Sequence, residues 1–411
     1  MRTLRLIFTT LALTILLSGF QPAYGQAKGP NPVGLRPDAP TYAVHGPFWV
    51  GARDMTMKTD DGEIYLTVWY PALNPDGAAE EITYTLSPFA KDFPTIQKVK
   101  GHAILNAKPA TSGGPYPLIV YSIGQATPHQ WEAHMAEHLA SYGFVVLAPD
   151  PRGEIPMGDF WQGAYYRPMD TVRMSQLAES LTAATGDLPG LINMDKIGMA
   201  GHSSGGWSAL TGSGAQMNLG GCPVNPSQVK DLPWYSDCST FLPHQNDLAK
   251  MFGLKAVPDG LWPPKYDSRV AAVAALNPDG DIWGADYSGV GVLKVPTLII
   301  TGTNDQFNPP EHAAYPMYDH VGSVSKSLVT FENASHFIPV ASCEDMPGVA
   351  ELAGADTCSD SVWDMNRAHD LLHHFVTAFM LDTLKGDKDA HKALLPDAVA
   401  FPGIDYKTTM K

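Results

Sequence analysis

The chain alternates short, mostly apolar runs with longer segments in which apolar residues recur every three or four positions. The apolar runs predict strands that are buried on both faces, and they lie at 117–122, 144–148, 196–200, 270–276 and 296–301. The segments with helical spacing lie at 129–142, 166–185, 206–212, 310–320 and 364–381. This alternation predicts an α/β fold with a mostly parallel central sheet and helices on both faces.

A hairpin is predicted before this region. Residues 55–59 and 63–70 have strand-like patterns and flank Asp60-Asp61-Gly62, which is a turn sequence. Pro71 is expected to end the second strand, because proline has no N–H to donate to the sheet. Near the other end of the chain, residues 328–332 are predicted to form the last strand.

The N-terminus has the pattern of a secretory signal. Arg2 and Arg5 precede an apolar run at 6–20, and Ala23-Tyr24-Gly25 is a small-residue cleavage site. The run is too short for a stable membrane anchor. We therefore predict a signal peptide over residues 1–25 and a secreted or periplasmic protein.

The rest of the chain is predicted to form one domain with an insertion. Residues 26–45 are rich in Pro and Gly and predict an N-terminal arm, and residues 46–411 are expected to form the α/β domain. The alternation of strands and helices is interrupted at 214–268. Long irregular stretches inside compact domains are usually functional, so a cap or lid is predicted there, and a purely decorative insertion is the alternative.

The composition excludes some partners and favours disulfides. The net charge of −15 argues against nucleic acid and against anionic membrane surfaces, although it does not select a substrate. The four cysteines form two local pairs, Cys222 with Cys238 and Cys343 with Cys358. Four cysteines allow three pairings, and we expect the pairing between sequence neighbours. The length and the strand pattern leave the oligomeric state open.

The most informative motif is the turn Gly201-His202-Ser203-Ser204-Gly205, which lies between a predicted strand and a predicted helix. Glycines suit this turn, because a Cβ at either flanking position would collide with the neighbouring strand or helix. Strain at the turn would lift the Ser203 hydroxyl out of the sheet. Strand, G-x-S-x-G, helix is the nucleophile elbow of the α/β-hydrolase fold.

A serine nucleophile needs a base, and the base needs an acid that orients it. In hydrolases of this type the chain order is Ser, acid, His. Asp305 follows the strand at 296–301 and His336 follows the last predicted strand, so Ser203, Asp305 and His336 are the predicted triad. Asp279, which follows the strand at 270–276, is the alternative acid.

Other residues are candidates for binding. The backbone N–H groups of Ser204 and Gln125 are predicted to form the oxyanion hole. The candidate pocket residues are His202, Trp131, Trp161 and Trp283. The histidines of the closing helix, His369, His373 and His374, are expected to pack against other groups, and a metal-dependent hydrolase that uses them is a minor alternative.

The chain resembles a group of α/β-hydrolase serine esterases: predicted dienelactone hydrolases, plasma-type platelet-activating-factor acetylhydrolases and cutinase-like polyester hydrolases. The segments that carry the resemblance are 68–72, 121–125, 141–146, 201–206 and 295–298. Similarity to the cutinase-like enzymes around Asn304-Asp305 and Ser335-His336 implies that these residues complete the triad. The acetylhydrolases place their acid after the earlier strand, which keeps Asp279 as the alternative.

The resemblance implies a secreted serine hydrolase that cleaves carboxylic esters through an acyl-enzyme on Ser203. A short-acyl, lactone or phospholipid-type ester is the expected substrate, and no cofactor or metal is expected. A polyester hydrolase is the first alternative. The alternative from another class is a ligand-binding protein that has this fold but no catalytic activity.

Overall fold

The computed structural model describes residues 39–85, 98–152, 154, 160–222 and 237–411. The predicted signal peptide and most of the predicted arm lie outside these residues. The strands, in chain order, are β1 (Trp49–Thr59), β2 (Gly62–Ala72), β3 (Ile82–Thr85), β4 (Lys98–Gly101), β5 (Ile104–Leu105), β6 (Tyr116–Ser122), β7 (Val145–Pro149), β8 (Ile192–His202), β9 (Val270–Leu276), β10 (Thr297–Gly302), β11 (Lys326–Phe331) and β12 (Ile404–Thr408).

The α-helices among the described residues lie between and after these strands. They are α1 (Ala133–Ser141), α2 (Gly163–Thr182), α3 (Ser204–Gly212), α4 (Asp237–Phe241), α5 (Gln245–Met251), α6 (Ser288–Gly291), α7 (Ala314–His320), α8 (Val349–Ala353), α9 (Met365–Met380) and α10 (Lys388–Ala393). A 3₁₀ turn, His129–Glu132, leads into α1.

The central sheet has ten strands in the order β12-β11-β10-β9-β8-β6-β7-β2-β1-β5. Neighbours from β7 to β11 pair in parallel, whereas β2 pairs with β7, and β12 with β11, in antiparallel fashion. This is the predicted α/β-hydrolase fold. The carboxyl ends of the parallel strands lie at one edge, where loops from several strands can contribute to a single site.

Two hydrophobic cores cover the faces of the sheet. Along β6, Ile119 and Tyr121 face the core that contains α1 and α9, while Leu118 and Val120 face the core that contains α2 and α3. Successive side chains of a strand point to opposite faces, so a strand between two helical layers is apolar at most of its positions. The continuous apolar runs of the sequence follow from this burial.

Three elements differ from the sequence-based prediction. Pro71 lies inside β2, where it pairs with Val50 of β1, so it does not end the strand. The predicted helix at 129–142 begins as a 3₁₀ turn. The strand at Lys326–Phe331 is not the last one, because Ile404–Thr408 adds an antiparallel edge strand beyond it. This edge strand is short and only half-buried, so it has no apolar run.

The described part of the insertion packs against α2 and α3. Phe241 of α4 contacts Trp207 of α3, with ring centres 6.2 Å apart, and Leu248 and Trp262 are buried in the same core. The Cys222–Cys238 disulfide joins the end of the described range 160–222 to α4. The second disulfide, Cys343–Cys358, ties together the loop between β11 and α9. Within the described ranges, no helix has the length and apolarity that a bilayer crossing requires.

Histidines fill the interface between α1 and α9. His134 stacks on His369 and His138 stacks on His373, each pair with ring centres 4.1 Å apart. His134 Nδ1 lies 2.8 Å from His373 Nε2. His369 and His373 of α9 thus pack against histidines of α1. Among the described residues, no group of three or more His, Cys, Asp or Glu is placed to hold a metal ion.

The last residues of the predicted arm bind to the same interface. The Tyr42 backbone is held on both sides, because its N–H donates to His374 Nδ1 at 3.3 Å and its carbonyl lies 2.7 Å from His138 Nε2. Burial lowers the pKa of His134 and of His138 to about 3 and that of His374 to about 4. These three histidines are therefore neutral in the folded protein at neutral pH.

We expect the protein to lose stability as the pH falls below about 6.5. Each of these histidines takes up a proton near pH 6.5 when the chain is unfolded, and only near pH 3 to 4 when it is folded. The unfolded state therefore binds more protons in this window. Each histidine lowers the free energy of unfolding by up to about 1.4 kcal/mol for each pH unit of acidification. Urea unfolding between pH 7.5 and 5 measures the slope.

The matched variant for this prediction is His138→Gln, which removes one titrating ring. Its slope of unfolding free energy against pH should be shallower than that of the wild type. Equal slopes in His138→Gln and in the wild type would contradict the assignment of a neutral, buried His138.

Candidate active site

Ser203 lies at the tip of the sharp turn between β8 and α3. Its backbone has φ 57° and ψ −126°, which is a strained conformation for a residue with a side chain. The Ser203 N–H still donates to the carbonyl of Leu276, at 2.9 Å, so the turn is anchored to β9. The strain lifts the hydroxyl off the end of the sheet while the backbone stays fixed.

The flanking glycines are required by close backbone contacts. A Cβ on Gly201 would lie 2.3 Å from the carbonyl oxygen of Gly205, and a Cβ on Gly205 would lie 2.0 Å from the carbonyl oxygen of Ser122. Both distances are far inside van der Waals contact with backbone atoms, which have little freedom to move. The sequence pattern G-x-S-x-G is therefore a steric requirement of this turn.

The structure brings Ser203, His336 and Asp305 together. His336 Nε2 lies 2.9 Å from Ser203 Oγ, and His336 Nδ1 lies 2.8 Å from Asp305 Oδ2. All three residues are at least nine-tenths buried. Each follows the carboxyl end of a different strand, so the parallel sheet itself sets the arrangement.

Asp305 is held as a charged carboxylate. Burial raises the pKa of Asp305, but His336 and the backbone N–H groups of Phe307 and Asn308 together outweigh burial, and the pKa lies below its usual value. The other oxygen, Oδ1, accepts the backbone N–H groups of Phe307 and Asn308 at 2.9 and 2.8 Å. An acceptor-only carboxylate on Nδ1 places the neutral imidazole proton there, which leaves Nε2 free to accept the Ser203 proton.

Asp279, the alternative acid, binds other partners. Its carboxylate accepts the Ser204 hydroxyl at 2.8 Å and the Asn308 side-chain amide at 2.5 Å. Burial raises the pKa of Asp279 above its ordinary value. In this geometry Asp279 supports the first turn of α3, and the Nδ1 atom of His336 belongs to Asp305.

The loop predicted to carry one oxyanion donor is held by a buried ion pair. Arg167 binds Glu154 and donates to the carbonyls of Ile123 and Gly124 at 2.8 and 3.0 Å. Glu154 also accepts the N–H of Ala126 at 2.9 Å, so the backbone is fixed on both sides of Gln125.

This loop passes directly beside the nucleophile. A Cβ built on Gly124 would lie 3.7 Å from Ser203 Cβ. On the other side, Ser204 is the first residue of α3, where backbone N–H groups have no partner inside the helix. The loop that carries Gln125 and the first turn of α3, which carries Ser204, therefore both adjoin Ser203.

The candidate pocket residues lie in different places. Trp283 is fully buried and donates to the Asp279 carbonyl at 3.0 Å, so it lies in the core rather than on a pocket wall. Trp131 is also in the core, beside the start of α1. Trp161 is half-buried and stacks on His244 of the insertion, with ring centres 4.6 Å apart. His202 is buried between Glu132 and the His336 carbonyl.

Two aromatic residues beside His336 were not predicted from the sequence. The rings of Phe307 and Phe337 lie 5.0 and 5.2 Å from the His336 ring, and both side chains are half-buried. They occur two residues after Asp305 and one residue after His336, and this adjacency is the sequence signal that could have identified them. They give the site an apolar wall beside the base.

Two family matches cover separate parts of the chain. Residues 130–231, which include Ser203, match the prolyl oligopeptidase family. Residues 265–352, which include Asp305 and His336, match the PET hydrolase-like family. No curated protein matches the chain. Each family match covers well under half of the sequence, so neither family describes the whole protein.

The two matches agree with the fold. One contains Ser203, and the other contains Asp305 and His336. Buried strands, a G-x-S-x-G turn between β8 and α3, and the order Ser, Asp, His are common features of serine hydrolases with this sheet. The chain is therefore a serine hydrolase of the α/β-hydrolase superfamily, similar in one part to the prolyl oligopeptidase family and in another to PET hydrolase-like proteins.

Proposed function

We propose that this protein hydrolyses carboxylic esters through an acyl-enzyme on Ser203. The observation that carries the proposal is the continuous path of hydrogen bonds from Ser203 Oγ through both nitrogens of His336 to Asp305. A serine hydroxyl becomes a nucleophile when a neighbouring base accepts its proton, and the strained turn presents that hydroxyl at the end of the sheet.

In the first half of the reaction, Ser203 Oγ attacks the ester carbonyl carbon as its proton passes to His336 Nε2. The carbonyl oxygen becomes an oxyanion, which the N–H groups of Ser204 and Gln125 would stabilise. Asp305 stabilises the imidazolium formed at His336. The tetrahedral intermediate then collapses, the C–O bond to the alcohol breaks, and His336 returns its proton to the leaving alcohol oxygen.

In the second half, water attacks the acyl-enzyme and gives a proton to His336. The second tetrahedral intermediate breaks its bond to Ser203 Oγ, which takes the proton back, and the carboxylic acid leaves. This chemistry is complete with the chain's own residues, so the proposal includes no cofactor.

A short-acyl, lactone or phospholipid-type ester is the proposed substrate class. Phe307 and Phe337 supply an apolar wall beside His336. The described part of the 214–268 insertion contacts the 160–162 segment through Trp161 and His244, and we propose that the insertion caps the site. A cap would limit the length of acyl chain that fits.

We also propose that the protein is secreted. Two disulfides support this, because such bonds persist mainly in oxidising compartments. The predicted signal peptide supports the same conclusion.

A polyester hydrolase is the second candidate function. The observation that favours it is the match of residues 265–352 to the PET hydrolase-like family, because this segment contains both Asp305 and His336. A polymer requires an open cleft, whereas a capped site admits only small esters. The two candidates therefore differ in how the enzyme responds to substrate size.

A substrate series is expected to separate these functions. For the purified protein lacking residues 1–25, we expect hydrolysis of p-nitrophenyl esters with kcat/KM highest at acetate or butyrate and falling by at least about tenfold at palmitate, because long acyl chains would not fit under a cap. A polyester film and a peptide p-nitroanilide complete the series.

The other outcomes have distinct meanings. Release of soluble acid from the film at rates comparable to those for small esters would support the polyester candidate. Cleavage of the anilide without cleavage of any ester would make the protein a peptidase. Absence of turnover with every substrate would leave the non-catalytic ligand-binding alternative and would contradict the proposal.

A further inference from the structure

A second histidine lies beside the base, and the proposed reaction does not use it. The His202 ring is 4.8 Å from the His336 ring between centres, and only 2% of His202 is exposed. His202 Nδ1 lies 2.8 Å from Glu132 Oε1, and His202 Nε2 lies 3.0 Å from the backbone carbonyl oxygen of His336. Glu132 is itself only 1% exposed.

Both partners of the His202 ring are acceptors. A backbone carbonyl can only accept, and the second Glu132 oxygen accepts the Tyr121 hydroxyl at 2.7 Å, so a Glu132 carboxylate would use both of its oxygens as acceptors. In that arrangement both ring nitrogens of His202 carry protons and donate. Burial opposes this charge, but Glu132, together with Asp305 and the His336 carbonyl, outweighs burial and raises the pKa of His202 above its ordinary value.

The hydrogen bond from His202 acts on the backbone of the base itself. The His336 carbonyl also accepts the Asn277 side-chain amide at 2.9 Å, so two buried donors from β8 and the end of β9 fix it. This carbonyl group is bonded to the Cα atom from which the His336 side chain extends, so holding the carbonyl also holds the base in place. Small displacements of a catalytic base are costly, since a 1 Å error can lower the rate by about 100-fold.

The pair also sets the charge around His336. Without Glu132, an imidazolium at His202 would oppose the second imidazolium that forms at His336 during the reaction. Without His202, the Glu132 carboxylate would keep the Tyr121 hydroxyl but lose its cationic partner in the core. The charged and titratable groups around His336 and its loop are Asp305, His202, Glu132, Asp279 and Asp360.

We propose that His202 and Glu132 form a buried imidazolium–carboxylate pair that positions His336 and balances the charge beside it. The proposal rests on the ester hydrolase function above and adds two positioning residues to it. Neither residue touches the substrate in this account; both act through His336.

The first test does not depend on turnover. In the ¹⁵N-labelled wild type at pH 8, we expect NMR to show His202 with both ring nitrogens protonated. In Glu132→Gln the amide can donate to Nδ1, and His202 should become neutral with its proton on Nε2. A neutral His202 ring in the wild type at pH 8 would overturn the proposal, whatever the enzyme hydrolyses.

The second test uses p-nitrophenyl acetate. For His202→Gln we expect kcat to fall by about 10- to 100-fold with KM changed less than about threefold, because positioning of the base is lost and ground-state binding is not. The acid limb of kcat/KM should also move up by about one pH unit, because Glu132 is no longer neutralised and favours the protonated His336.

His129→Gln is the matched control. His129 also pairs with a buried carboxylate, Asp150, at 2.6 Å, and its other nitrogen lies 2.7 Å from Thr67 Oγ1. The His129→Gln variant therefore loses a comparable buried pair that does not contact His336. The acid limb of its kcat/KM profile should stay at the wild-type pH. An unmoved limb in His202→Gln, or an equal shift in His129→Gln, would reduce the pair to a structural role. Absence of turnover in the wild type would contradict the ester function alone.

Discussion

Replacing Ser203 with alanine is expected to lower kcat/KM for p-nitrophenyl acetate by about 10⁶-fold. The change removes the hydroxyl oxygen that lies 2.9 Å from Nε2 of His336, Ser203 Oγ. The oxyanion donors and the binding surface remain, so a small residual rate above that of water is expected. A fluorophosphonate reporter and mass spectrometry should show one covalent adduct on the wild type and none on the variant.

Ser204→Ala is the matched control for this loss. Ser204 is the next residue, is also buried, and its hydroxyl bonds to Asp279 rather than to His336. The variant keeps the backbone N–H that the proposed oxyanion hole uses. Its activity should fall by no more than about tenfold, which reflects one lost buried hydrogen bond. Wild-type turnover in Ser203→Ala, or loss of labelling only in Ser204→Ala, would rule out Ser203 as the nucleophile.

Replacing Asp305 with asparagine is expected to lower kcat by about 10⁴-fold. The asparagine amide can donate to Nδ1 of His336, which would move the imidazole proton to Nε2 and block acceptance of the Ser203 proton. The variant also loses the negative charge that stabilises the imidazolium during the reaction. Because the side chains are nearly the same size, KM should change little, and steady-state kinetics from pH 6 to pH 9 measures both effects.

Asp279→Asn is the comparison that decides between the two candidate acids. Asp279 contacts Ser204 and Asn308, and burial already raises its pKa. A neutral asparagine should therefore cost less than about tenfold in kcat, the effect of one hydrogen bond that the new amide group cannot accept. A loss near 10⁴-fold in Asp279→Asn, with near-normal activity in Asp305→Asn, would show that the acid follows the earlier strand.

The sequence is most informative where local geometry fixes the outcome. The turn around Ser203 was predictable, because glycines at 201 and 205 are required by backbone atoms that lie within 2.4 Å of a Cβ. The parallel strands of the central sheet were predictable, because burial on both faces leaves them mostly apolar. The edge strand Ile404–Thr408 was missed, since one half-buried side carries no such pattern.

The contacts that surround the site were set by the tertiary fold. The sequence offers both Asp305 and Asp279 as the acid. Which carboxylate reaches Nδ1 of His336 is decided by two loops that meet only when the sheet forms. The tryptophan assignments show the same limit. The sequence shows only that Trp283 is an aromatic candidate for the pocket. The fold places it in the core, where its indole N–H donates to the Asp279 carbonyl.

The sequence by itself determined the strand order along the chain, the strained serine turn and the Ser, Asp, His order, because each depends on neighbouring residues or on strand ends that a parallel sheet must gather at one edge. Only the tertiary structure paired Glu132 with His202 and Arg167 with Glu154, and placed the Tyr42 backbone between two histidines. These groups are polar and buried, and the sequence around each one does not identify the partner that makes its burial favourable.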